Sequence, residues 1–204
     1  ESKNILFSSG PPLLGRRSAW EDGTTVGASY VDMCPETALI RGILSIDECR
    51  CLISFLESTN RFCPAGGVAA RNDLITWIAP QPLMNELWTR IAPLAFRILR
   101  VPDERHAELA PVGLNGCLRC YRNSPGQAYL PHYDQARPSA VLGADGNSYS
   151  WDNNYESRHS LLIYLNSSAD SAYVGGCTTL MPEGLQGLKI KMAPPSGGAL
   201  LFPH

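Results

Sequence analysis

The chain has 204 residues with a formal net charge of −2 and 18% charged residues, which leaves no basic footprint for nucleic acid and no acidic tail. That length can bury a sizeable core and suits one globular domain, and no apolar run reaches the length of a membrane span. The seven cysteines (34, 49, 51, 63, 117, 120 and 177) are odd in number, scattered and set in apolar stretches. Cys117 and Cys120 have CxxC spacing but no second CxxC and no histidine at zinc-finger spacing. Buried free thiols are the expectation, and they point to a reducing compartment such as cytoplasm or an organelle matrix.

In chain order, residues 1–35 read as a polar, irregular arm. A short strand over 37–44 then leads to a helix over 45–57. There Ser45 and Glu48 have the spacing of a capping box, and Ile46, Cys49, Leu52, Ile53 and Leu56 form an apolar stripe. Residues 72–79 read as extended. A second helix is expected over 81–92, with Pro82 in its first turn and Leu83, Leu87, Trp88 and Ile91 on one face. Residues 101–114 form a loop in which His106 is a solvated histidine. From Gly116 onward, short runs separated by Gly, Pro and Asn predict strands near 116–122, 128–134, 159–166, 177–181, 187–192 and 198–203. The connection over 135–157 is long and carries Trp151 and Tyr155. It reads either as an active-site lid or as an insertion without fixed structure.

One tripeptide carries chemistry. His132-Tyr-Asp134 lies in the expected second strand of the C-terminal half, where residues two apart share a face. One imidazole and one carboxylate on one face are two-thirds of a 2-His-1-carboxylate triad, which holds Fe(II) and leaves positions open for a cosubstrate and O₂.

Four ordered runs then carry a resemblance. They are Cys120-Tyr-Arg-Asn-Ser-Pro-Gly-Gln-Ala-Tyr-Leu-Pro-His-Tyr-Asp134, Ser157-Arg-His-Ser-Leu-Leu-Ile-Tyr-Leu-Asn166, Gly175-Gly-Cys-Thr-Thr-Leu-Met181, and Ile190 to His204 with its Gly-Gly-Ala-Leu-Leu-Phe. Together they resemble the prolyl-4-hydroxylase-like branch of the Fe(II)/2-oxoglutarate-dependent dioxygenases, over about residues 115–204. The resemblance implies an α+β fold: a double-stranded β-helix, or jelly-roll, in 115–204, supported by the helical region 36–114, with 36–204 as one domain. It implies Fe(II) held by His132 and Asp134, 2-oxoglutarate as cosubstrate and ascorbate as a helper. The substrate is a protein side chain, prolyl among the candidates, or a small molecule. Tyr121 is a candidate cosubstrate contact, although the family's tyrosine position holds Asn123 and a core tyrosine is the competing reading. Thr178 either lines the cosubstrate pocket or is a strand threonine beside a Gly-Gly turn. Arg158 and Tyr164 bracket the third core strand.

The family's third ligand and its Lys or Arg partner for the far carboxylate of 2-oxoglutarate come after the Ala-Leu-x-Phe strand, where this sequence ends at His204. Lys189 and Lys191 do not match that anchor. Three expectations follow. The natural polypeptide continues by roughly 20–40 residues, enough for two strands of ordinary length; or the chain is an inactive structural subunit whose partner covers the open sheet edge; or His204 is recruited as a ligand.

Overall fold

The computed structural model describes residues 5–7, 26–66, 70–99, 110–170 and 173–204. His106 lies outside the described residues. In chain order the elements are β1 (Ile5–Phe7), β2 (Gly27–Tyr30), β3 (Ala38–Arg41), α1 (Ile46–Ser58), β4 (Cys63–Pro64), β5 (Ala70–Arg71) and β6 (Asp73–Ile78). There follow α2 (Gln81–Ile98), β7 (Cys117–Arg122), β8 (Ala128–Tyr129), β9 (Pro138–Leu142), β10 (Tyr149–Glu156) and β11 (His159–Ile163). The chain ends with β12 (Thr178–Leu180), β13 (Ile190–Met192) and β14 (Ala199–Pro203). The fold is mixed α+β. Among the described residues the strands form several separate sheets and no closed barrel.

Local chemistry starts α1 as the sequence foretells. The Ser45 side chain accepts from the Glu48 backbone N–H while the Glu48 carboxylate accepts from the Ser45 N–H at 2.7 Å, so two donors without helical partners are satisfied at once. α2 is the first departure: it runs to Ile98, past the expected end at 92, with Pro93 inside it. A proline there removes one helical hydrogen bond and ordinarily breaks the helix. Here Pro93 stands on the exposed side, while Met84, Leu87, Ile91, Ala95 and Ile98 continue the buried stripe through it. Packing of that stripe outweighs the local defect.

Two four-stranded sheets form the frame. In one, β6 is antiparallel to β7 along its whole length and takes β1 (parallel) and β4 (antiparallel) on its other edge. The other is antiparallel throughout, in the order β11-β14-β3-β2. The residues expected to form an irregular arm thus contribute β1 and β2 to the edges of these sheets. Both helices pack on them. Leu52, Leu56, Met84, Leu87 and Ile91 meet Ile40, Ile75, Trp77, Ala199 and Leu201 in one buried cluster, each large side chain contributing about 1.5–3 kcal/mol on burial. Arg90 of α2 ties the helices together: it hydrogen-bonds both Glu48 carboxylate oxygens (3.0 and 2.9 Å) and the Ile43 carbonyl (2.8 Å).

Alternation on these strands sets what faces away from the helices. Leu118 and Cys120 of β7, and Leu161, Ile163 and Leu165 on and just after β11, pack against the buried cluster. Tyr121 on β7, and Ser160 and Tyr164 in the β11 run, therefore face the opposite side. The outer edges of β7 and β11 have no strand partner among the described residues.

The connection over 135–157 is not without fixed structure. β9 and β10 make an antiparallel hairpin across it, closed by a turn in which Asp145 accepts from the backbone N–H groups of Asn147 and Ser148. Its root is fixed by Asn115, which donates to the Pro138 carbonyl and accepts from the Ala140 N–H.

Candidate metal centre

The strand expected over 128–134 stops at Tyr129, so His132 and Asp134 lie just beyond a strand rather than on one. Pro131 has no N–H to give a ladder, which is why pairing cannot run through. The two side chains converge nonetheless. His132 Nδ1 lies 2.8 Å from the Leu130 carbonyl oxygen. A carbonyl only accepts, so this contact assigns the proton to Nδ1 and leaves the lone pair on Nε2. His132 Nε2 stands 3.4 Å from Asp134 Oδ1. The second carboxylate oxygen, Oδ2, accepts a hydrogen bond from the Ser160 hydroxyl, which reaches across from β11.

Aromatic rings brace the histidine. Tyr129 stacks on His132 with ring centroids 4.1 Å apart and planes 23° from parallel. Tyr121 meets Tyr129 edge-on at 5.4 Å, and the Arg119 guanidinium sits 5.3 Å from the centre of the Tyr121 ring. Burial raises the Tyr121 phenol well above its ordinary value; its hydrogen bond with Tyr129 adds to the rise, and the Arg119 charge opposes it. Tyr121 is therefore a neutral hydroxyl at physiological pH.

β11 brings in the other side of the site. Two turns of its alternation beyond Ser160, the Tyr164 hydroxyl is hydrogen-bonded to the Thr178 hydroxyl of β12, and burial pushes the Tyr164 phenol up to about 12. His204 follows β14, and its backbone N–H donates to the Arg158 carbonyl at 3.1 Å. Its Nδ1 is buried without a hydrogen-bond partner among the described residues. Burial lowers its pKa, while the charge of Asp134, close enough to be felt, pulls the other way.

The pair fits a divalent ion as two of its ligands. Nitrogen and oxygen ligands lie about 2.0–2.2 Å from an ion such as zinc, so two of them at roughly 90–110° stand about 3.0–3.5 Å apart. A lone pair and a carboxylate oxygen 3.4 Å apart match that span, and two acceptors facing each other call for a cation or a proton between them. Among the described residues, no group of three His, Cys, Asp or Glu side chains could hold a metal.

No family model, no curated protein and no solved structure matches this chain.

The remaining candidates divide. Tyr121 reaches His132 through Tyr129. Thr178 shares a side of β11 with Ser160 through its bond to Tyr164. Asn123 instead accepts from the Asn72 side chain at 3.2 Å, and Arg158 pairs with Glu156 at 2.7 Å. His159 bonds Glu36 at 2.7 Å, which gives that histidine a partner outside the pair. A cavity of about 340 Å³ lies elsewhere, lined by Arg71, Asn72, Asp73, Gly126 and Gln127 among others and by none of the candidate ligands. All seven cysteines are free, but the expectation that they are buried holds only for Cys49: Cys51 and Cys177 are exposed, and Cys34, Cys63, Cys117 and Cys120 are half-buried. Two residues escaped the sequence reading, Tyr129 and Ser160. The available signal for Ser160 was alternation: it is the polar position on the face of β11 opposite Leu161 and Ile163.

Proposed function

We propose that this chain is a dioxygenase-like domain of the prolyl-4-hydroxylase kind, dependent on Fe(II) and 2-oxoglutarate, with a jelly-roll arrangement of its C-terminal strands. The observation that carries the reading is the lone pair of His132 Nε2 facing Asp134 Oδ1 at 3.4 Å, with each ligand's other atom already engaged. His132 and Asp134 would hold the iron. With 2-oxoglutarate and O₂, iron of this type supplies the oxidising power to hydroxylate an unactivated C–H bond.

The protein's own residues do the rest. The Leu130 carbonyl fixes the His132 tautomer so that Nε2 is the free nitrogen. Tyr129 holds the imidazole plane by stacking. Tyr121, packed on Tyr129, and Thr178, bonded to Tyr164, are the proposed cosubstrate contacts, the first as a neutral hydroxyl. The substrate is a protein side chain or a small molecule, since one fold of this type serves many.

A second reading has its own support. Because no third donor joins the pair among the described residues, and the outer edges of β7 and β11 are free there, a non-catalytic subunit that pairs with a partner is the alternative. Anaerobic titration separates the two. The enzyme reading expects tight Fe(II) binding, an absorption change on adding 2-oxoglutarate, and loss of both in His132→Ala and Asp134→Ala variants that stay folded. Uncoupled 2-oxoglutarate turnover surviving either substitution at wild-type rate would remove the assignment.

A further inference from the structure

Asp134 has two carboxylate oxygens with different partners. Oδ1 looks toward His132 Nε2, and Oδ2 receives the hydroxyl of Ser160. That hydroxyl comes from another part of the chain, 26 positions on, and from a strand whose place is set independently of the His-Asp segment. β11 pairs with β14 in a continuous register, Ser160 opposite Phe202, so the backbone of Ser160 is held by the ladder. Leu161 and Ile163 anchor the opposite face of the strand in the core. Ser160 therefore presents its hydroxyl from a rigid support to a carboxylate on an irregular segment.

We propose that Ser160 is a positioning residue for Asp134, one that fixes the carboxylate as a single-oxygen ligand through Oδ1. The proposal rests on the metal reading above and extends it. A carboxylate free to rotate can take two positions on a metal with both oxygens. Occupying Oδ2 with a donated hydrogen bond disfavours that and keeps one more position open for a chelating cosubstrate. A hydroxyl that merely filled space in a strand would have no preference for the oxygen turned away from the imidazole.

The test uses the full chain and Co(II) as a spectroscopic stand-in for Fe(II). Ser160→Val and Ser160→Thr have nearly the same shape and differ in the hydroxyl, and both suit a strand. With metal-free thermal denaturation alike in the two, Ser160→Val is expected to bind Co(II) about 10–100-fold more weakly, the usual effect of losing an outer-shell partner. Its visible Co(II) spectrum should change shape, and the further change on adding 2-oxoglutarate should shrink. Ser160→Thr should restore affinity and spectrum close to wild type; Ser160→Ala is expected to follow the valine variant. If Ser160→Val matches wild type in affinity and spectrum while His132→Ala does not bind, the positioning role is wrong and the metal reading stands. If wild type binds no Co(II), both fall.

Discussion

Replacing Glu48 with alanine tests whether the α1–α2 clamp holds the layer that supports the site. Both partners are nearly buried, with side-chain exposures of 9% for Glu48 and 7% for Arg90, and the pairing is two-pronged. Removing one partner of such a pair costs about 3–5 kcal/mol when the other charge is left alone; Arg90 keeps the more exposed Glu86 at 3.2 Å, which puts Glu48→Ala at the lower end, about 3 kcal/mol. The lost half of the capping box lies within that range. For a chain of this size about 3 kcal/mol lowers the melting temperature by roughly 6–12 °C. Guanidinium denaturation followed by circular dichroism reads the effect as a lower midpoint at unchanged slope. Arg90→Met alone should cost a similar amount, because the Glu48 carboxylate is then stranded. The double variant Glu48→Ala/Arg90→Met should cost clearly less than the two single variants added together, since it leaves no buried charge. A Glu48→Ala variant within about 1 kcal/mol of wild type would refute the reasoning and mean that water or Glu86 compensates the Arg90 charge.

Acid should act through the same carboxylate. Burial alone would raise the Glu48 pKa, but hydrogen bonds from Arg90 and Ser45 and the Arg90 charge outweigh it and hold it below 4.5. A depressed carboxylate stabilises fully above its unfolded value and loses that contribution as pH falls through the folded one, so wild type should lose stability below about pH 4.5; Glu48→Gln should be less stable at pH 7 and show a shallower acid slope. Gly197 has φ +77° and no room, a Cβ there lying 2.0 Å from the Leu44 carbonyl oxygen, so Gly197→Ala should cost on the order of 2–5 kcal/mol by denaturant melt, from strain and overpacking together. Mass-mapped alkylation of the native chain at pH 7.5 should label exposed Cys51 and Cys177 first; Cys120, pushed up to about 12 chiefly by burial, and Cys49, up to about 11, should react only on unfolding. Native labelling of Cys120 at the rate of Cys51 would contradict the packing of β7.

What could be read from the sequence is what a few neighbouring residues decide among themselves. The capping box of α1 needs only Ser45 and Glu48, three positions apart, and forms as read. His132 and Asp134 are likewise neighbours, so their convergence was legible even though the strand proposed for them ends early at Tyr129, before Pro131. Tertiary structure decided the rest. α2 runs through Pro93 because its buried stripe packs on the sheets, a gain that no helix propensity contains. The 135–157 connection becomes a hairpin anchored by Asn115, a residue over twenty positions away from the carbonyl it holds. Ser160 meets Asp134 only because β11, 26 positions on and held in register by β14, is brought beside the His-Asp segment. Register is a property of two strands at once, so one stretch of sequence can name candidate ligands but cannot name what holds them in place.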